Sequence, residues 1–248
     1  MTALVAPSIL TLWAVLDLIG VVLNGVIGGT IARQRGFDVV GFFFLAVFSA
    51  LGGGMVRDVL IQQGAPAAIT NPIYLPMAGV GALIALLLDL QGRWWTMFRV
   101  HADAIILGVW AVTGTTKALA FDLPIASAMF LGLITAVGGG MIRDVFAGNP
   151  PAVFGGQPLY AVPALVASAV LVVFHSLGML GLGMVVAGAT GASMAIFAFW
   201  MGLVLPQNAT LNARGVWRRT RTLVNPRRVR GSMAARARHT WATYMTKK

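Results

Sequence analysis

The sequence predicts an all-α polytopic membrane protein, with seven transmembrane helices arranged as two inverted three-helix repeats plus one additional helix. Three observations carry this expectation. First, 58% of the 248 residues are hydrophobic and only 10% charged, with a mean hydropathy of +0.84. That leaves too little polar surface to coat a water-soluble globule of this size. Second, seven stretches are apolar over about the length that an α-helix needs to cross a bilayer. Third, a glycine-rich string occurs twice, 86 residues apart, with further matches at the same offset.

The spans expected are Ile9–Ile31, Val39–Ile61, Ile73–Leu90, Ala102–Leu119, Ile125–Ala147, Tyr160–Phe174 and Leu182–Leu205. Turn-forming or polar residues punctuate them at 33–36, Asn71-Pro72, 91–93, 122–124 and 148–151. The sequence therefore divides into a transmembrane domain over 8–205 and a basic tail over 206–248. Within the domain, repeat 1 covers about 9–90, repeat 2 about 102–176, and the seventh helix about 182–205.

Charge placement gives an orientation. Eleven of the 18 basic residues fall in 206–248, which contains no acid, so the transmembrane domain is formally neutral. Arg33 and Arg35, then Arg93 and Arg99, share the tail's side of the bilayer. Lysine and arginine in short connections favour the cytoplasm. This predicts a multi-pass protein of the cell (inner) membrane, with the N-terminus outside and the C-terminus cytoplasmic. No basic residue precedes Arg33, so the first span lacks a signal peptide's charged start and is expected to be retained.

Several chemistries find no support. There is no cysteine, which excludes thiolate sites and disulfides. All seven acids are aspartates, and His101, His175 and His239 lie far apart in sequence. No catalytic set or metal site is predicted, and no enzyme activity is expected. The glycine string lacks the Gly-Lys-Ser/Thr ending of a phosphate loop and stands within an apolar stretch rather than after a strand.

The repeat decides the topology. Gly52-Gly53-Gly54-Met55-Val56-Arg57-Asp58-Val59 returns as Gly138-Gly139-Gly140-Met141-Ile142-Arg143-Asp144-Val145. At the same offset, Asp17 matches Asp103, Gly28 Gly114, Thr30 Thr116, Pro72 Pro158 and Tyr74 Tyr160. A unit of three crossings returns the chain to the membrane on the opposite face, so its second copy is inverted. Inverted repeats with interrupted helices are a frequent construction in transport proteins, with the site between the halves.

Three consecutive glycines weaken a helix by roughly 1 kcal/mol each relative to alanine. Gly52, Gly53, Gly54, Gly138, Gly139 and Gly140 are therefore expected to kink the second and fifth spans towards a wet interior. The competing reading is close helix packing, which glycine equally permits. Arg57, Asp58, Arg143 and Asp144 follow the triplets and are expected to pair between repeats or to line a path. Neighbours in a helix do not face one another, so a bond between Arg57 and Asp58 is not expected. The alternative for these charges is the membrane interface, with arginine snorkelling to water.

Asp17 and Asp103 occupy equivalent places, and Asp17 is the deeper. Asn24, Ser49, Thr113, Thr115, Thr116 and Thr135 are weaker candidates for polar lining, since hydroxyls in helices usually bond to their own backbone. Lys117 is expected at the outer interface, near Asp122. The tail, with Trp217 and Trp241 among its arginines, fits anionic lipid or a topology-setting role better than nucleic acid, since membrane attachment makes lipid the nearer anion.

The doubled Gly-Gly-Gly-Met-x-Arg-Asp string in the second and fifth of seven spans resembles the trimeric intracellular cation (TRIC) channel family, and more closely its bacterial homologues, a glycine-transporter-like group of membrane proteins. The resemblance covers residues 8–205 and excludes the tail. It implies a homotrimer in the lipid bilayer whose protomers each hold an hourglass pore. The pore passes monovalent cations, chiefly K⁺ with Na⁺ an alternative, through a constriction at Gly52–Gly54 and Gly138–Gly140. Bound lipid is also compatible, but animal members carry a Lys-Glu-Phe-Gly lipid motif in the second helix where this chain reads Gly54-Met55-Val56-Arg57-Asp58. Three functions compete at this point: a passive cation channel, a secondary transporter of a small zwitterion such as glycine, and a membrane scaffold.

Overall fold

The computed structural model describes residues 6–154 and 159–204; the basic tail over 206–248, with its expected anionic-lipid contacts, and Pro158 lie outside the described residues. The elements described are helices: α1 Pro7–Gln34, α2 Val39–Ile61, α3 Ala67–Thr70, α4 Tyr74–Leu87, α5 Gly92–Ala120, α6 Ile125–Phe146, a 3₁₀ turn at Ala152–Phe154, α7 Ala161–Ser176 and α8 Leu180–Met201. Five of these (α1, α2, α5, α6 and α8) are long and apolar enough to cross a membrane, while α4 and α7 are shorter apolar helices.

Local chemistry sets the ends. Pro7 opens α1, where its missing N–H costs nothing. Asp38 caps α2 by accepting the Gly41 N–H at 2.7 Å. The α2 helix stops at Gln62, which is left-handed at φ 56°, and Gly64 at φ 100° turns the chain back. α4 ends against Arg33, which donates to the carbonyls of Leu86 and Leu88 and lies 3.6 Å from Asp89. The last three residues of the expected span, 88–90, therefore lie outside the helix, because Leu88 is already extended.

One boundary needs a larger correction. The span expected at Ala102 begins ten residues earlier, at Gly92, so Arg93 and Arg99 lie on helix α5 instead of in a connection. Polar residues lowered the hydropathy of this stretch without opposing helix formation. At about 1.5 Å per residue, α5 is roughly 43 Å long, more than the ~30 Å hydrocarbon layer.

Packing joins the elements into one bundle. α1 touches α2, α4 and α5; α2 touches α6; and α8 packs on α5 and α7. Short links at 35–38 and 121–124 make α1–α2 and α5–α6 antiparallel pairs. Lys117, late in α5, reaches Asp58, late in α2. Arg35, just past α1, donates to the Asn149 side chain, just past α6. α2 therefore ends at the face where α5 ends, and α6 ends at the opposite face, beside the end of α1. These are called below the Asp58 end and the Asp144 end.

Glycine and alanine make the close approaches. A Cβ at Gly81 would strike the Val22 carbonyl on α1, and one at Gly108 the Gly188 carbonyl on α8. In hydrocarbon there is no hydrophobic gain from pairing helices, so such backbone proximity is what binds them.

Candidate functional site: two buried charge clusters flanking a glycine crossing

α2 and α6 cross at their glycine triplets, and both helices run through them without interruption. Gly52–Gly54 and Gly138–Gly140, where the sequence predicts a kink or close packing, keep their helical bonding and pack closely. The physical reason is mutual packing: a Cβ at Gly53 would collide with the Thr135 carbonyl, and one at Gly139 with the Ser49 carbonyl. At Gly138 it would meet the Gly53 Cα at 2.9 Å, and at Gly52 the Ile142 Cδ1 at 2.7 Å. Only glycine allows this approach, so the helical backbone bonds survive the low intrinsic propensity. The third glycine of each triplet differs. A methyl group added at Gly54 would stand 3.7 Å from the Arg57 guanidinium, and one at Gly140 would stand 3.5 Å from that of Arg143, both ordinary contacts.

The two charge pairs sit one turn beyond the crossing. Arg57 is 7% exposed and Asp58 5%, so both charges are buried within the bundle. Arg57 Nε donates to Asp58 Oδ1 at 2.7 Å, and Arg143 Nε to Asp144 Oδ1 at 3.1 Å. Both sequence neighbours therefore pair, contrary to the expectation from helix geometry. That rule concerns Cβ directions, whereas an arginine stem is long enough to swing its guanidinium back along the helix.

Asp58 also collects partners from elsewhere. Lys117 Nζ donates to Oδ1 at 2.7 Å, and the Ala67 N–H at the start of α3 donates to Oδ2 at 2.9 Å. Lys117 is thus an ion-pair partner joining the two halves. The turn at Gln62 and Gly64 brings Ala67 within reach. The second half repeats the device: Gly148, at φ 70°, turns the chain so that the Ala152 N–H reaches Asp144 Oδ2 at 3.4 Å.

Asp17 accepts the Tyr74 hydroxyl at 2.5 Å, and Tyr160 stands beside Asp103 at the matching place in the second half. Each half thus contains the same quartet of two aspartates, an arginine and a tyrosine. Both tyrosines stand at matched positions in the sequence repeat, and that match was the available signal for their role. We expect Tyr74→Phe to destabilise the folded protein by about 1.5–3 kcal/mol, the range for a hydrogen bond to a charged group, measured as a lowered thermal midpoint in detergent.

The weaker candidates divide. Thr113, Thr115 and Thr135 bond back to their own helices, to the carbonyls of Val109, Ala111 and Leu131. Asn24 is buried on α1. Ser49 and Thr116 have buried hydroxyls with no hydrogen-bond partner among the described residues. Among those residues no cluster of histidine, cysteine, aspartate and glutamate could hold a metal.

Each cluster opens on a cavity. At the Asp58 end a cavity of about 30 Å³ is bordered by Asp17, Gly54, Arg57, Asp58, Tyr74 and Thr135. A recess of about 550 Å³ at the Asp144 end is bordered by Arg35, Arg99, Asp103, Arg143, Asp144 and Tyr160. Polar walls and these volumes suit water, which needs roughly 10–15 Å³ and two to four polar partners.

A bundle of lipid-length apolar helices enclosing paired charges is a multi-pass membrane protein. Its fold is that of the TRIC channels. It is similar to a solved structure reported as the structural basis for conductance through TRIC cation channels, at 27% identity and a TM-score of 0.73, over 79% of this chain and 96% of that one. It is also similar to the TRIC trimeric intracellular cation channel orthologue from Rhodobacter sphaeroides, at 26% identity and a TM-score of 0.72, over 78% of this chain and 100% of that one. The family model described as glycine transporter matches residues 14–89 and again 100–176, and the chain belongs to that family. Relatives include the UPF0126 membrane protein YvgT of Bacillus subtilis (strain 168), 30% identical over 151 residues, or 60% of this chain and 74% of YvgT. The UPF0126 inner membrane protein YadS of Escherichia coli (strain K12) is 30% identical over 152 residues, 61% and 73% of the two chains.

Proposed function

We propose that the chain is a passive channel for monovalent cations, K⁺ or Na⁺, conducting through each protomer of a homotrimer. The observation that carries this reading is the likeness to TRIC cation channels over 79% of the chain. The buried charges support it, because ionisable groups inside a membrane bundle are costly and usually line an ion or substrate path.

In this reading the chain crosses seven times, α4 and α7 included, and its halves are inverted repeats. The placement of Asp58 and Asp144 at opposite ends of the α2–α6 pair supports the inversion. The path runs from one cavity to the other past the glycine crossing, with Gly54 and Gly140 beside it and Ser49 and Thr135 flanking the narrow part. The N-terminus is outside and the tail cytoplasmic, against the anionic leaflet. The buried arginines and aspartates serve one another's charge, and we assign them no reaction chemistry.

Planar-bilayer recording of the purified protein in asymmetric KCl tests the reading. Discrete unitary steps that reverse near the K⁺ equilibrium potential are expected. Saturable uptake of glycine with fixed ion coupling and no unitary current would replace the channel with a transporter.

A further inference from the structure

The two cavities are built on the same quartet but differ in the cations added to it. At the Asp58 end the addition is Lys117, bonded to Asp58. Its counterpart 86 residues earlier is Ile31, which borders the other cavity. At the Asp144 end the additions are Arg35 and Arg99, both bordering the recess. Their counterparts in the first-named end are Phe121 and Trp13. Counting each quartet and its added cations alone, formal charges therefore cancel around Asp58 and leave one positive charge around Asp144.

We infer that Arg35 and Arg99 make this protein a rectifier, passing cations more readily from the Asp58 end to the Asp144 end than in reverse. The inference rests on the channel reading above. A positive mouth lowers the local cation concentration and so slows cations leaving the solution on its own side. The opposite mouth, neutral on balance, imposes no such depletion.

The effect has a defined size and salt dependence. At about 0.1 M ionic strength the screening length is about 10 Å, and at 1 M it is about 3 Å. One unit charge near a protein surface then gives roughly a two- to three-fold difference between opposite currents in dilute salt. The difference should approach unity in concentrated salt.

The test is single-channel recording of the full chain in symmetric KCl at both salt concentrations. Orientation can be read afterwards, because the chain contains no cysteine. A thiol introduced by Gln34→Cys borders the recess, so an impermeant bulky thiol reagent should block only from the Asp144 end. Larger current towards the Asp144 end in dilute salt is expected. Removing both charges with Arg35→Gln and Arg99→Gln leaves one negative charge and should invert the ratio, whereas either single variant should bring it to about one. Phe121→Arg, at an exposed site, should do the same by balancing the other end without altering the recess.

Equal currents in the parent protein at low salt would overturn the inference. So would rectification in the original direction that persists in the double variant, which would assign it to the basic tail. Absence of unitary current under every condition would remove the channel reading, and this inference with it.

Discussion

Leucine in place of Gly53 or Gly139 is expected to abolish flux and to destabilise the folded protein by about 3 kcal/mol or more. Even the first carbon added at either position meets a backbone carbonyl across the α2–α6 crossing, Thr135 for Gly53 and Ser49 for Gly139. Backbone cannot rotate aside as a side chain can, so the helices must separate. Overpacking in a filled interior costs about 1–3 kcal/mol when neighbouring side chains can yield, and here they are not the obstacle. Gly54→Ala is the matched control. Its nearest neighbour is 3.7 Å away, and alanine gains up to about 1 kcal/mol of helix propensity. Thermal midpoints in detergent and liposome flux should therefore fall for Gly53→Leu and Gly139→Leu, while the thermal midpoint of Gly54→Ala should stay near the parent's. A Gly139→Leu protein with parental stability and flux would show that the crossing has been misread.

The second large effect is expected at Asp58. Its carboxylate neutralises Arg57 and Lys117 and caps the turn at Ala67. Asp58→Ala leaves a buried guanidinium, 7% exposed, without its acid partner. Removing one member of a buried ion pair typically costs about 3–5 kcal/mol. Lys117→Met should cost much less, because Asp58 keeps Arg57 and the Ala67 N–H. Asp144→Ala should fall between them, since its bonds at 3.1 and 3.4 Å are longer and no lysine joins it. Comparing the three unfolding midpoints in one detergent checks the order, and an Asp58→Ala protein as stable as Lys117→Met would contradict it.

Much of this arrangement was legible in the sequence, for reasons that particular residues make plain. The paired strings at Gly52 and Gly138 located the crossing, and the matches Asp17–Asp103 and Tyr74–Tyr160 marked the rest of each quartet. What could not be read was side-chain reach. The position rule for helices separates Arg57 from Asp58, yet a flexible stem overrides it. Lys117 lies 59 residues from Asp58 in the chain, and only the packing of α5 beside the end of α2 brings them together. The triplets left two readings open, a kink and close packing, and the contacts display the second. Propensity argues for a broken helix at Gly52–Gly54, but propensity counts local cost alone, and the gain from close approach to α6 is a tertiary term. Hydropathy likewise hid the first ten residues of α5, because it measures affinity for oil and not the capacity to coil.

The shortness of α4 and α7 has a consequence for the surrounding lipid. With 14 and 16 residues, they rise about 21 and 24 Å along their axes, against a hydrocarbon layer of about 30 Å. Each begins at a quartet tyrosine, or one residue past it, and the chain before it folds inward to a buried carboxylate. In the proposed seven-span reading, these two helices are shorter than the hydrocarbon they cross, and acyl chains must compress or tilt to meet them. Bilayer thickness is then a mechanical load on the same segments that hold Asp58 and Asp144 in place.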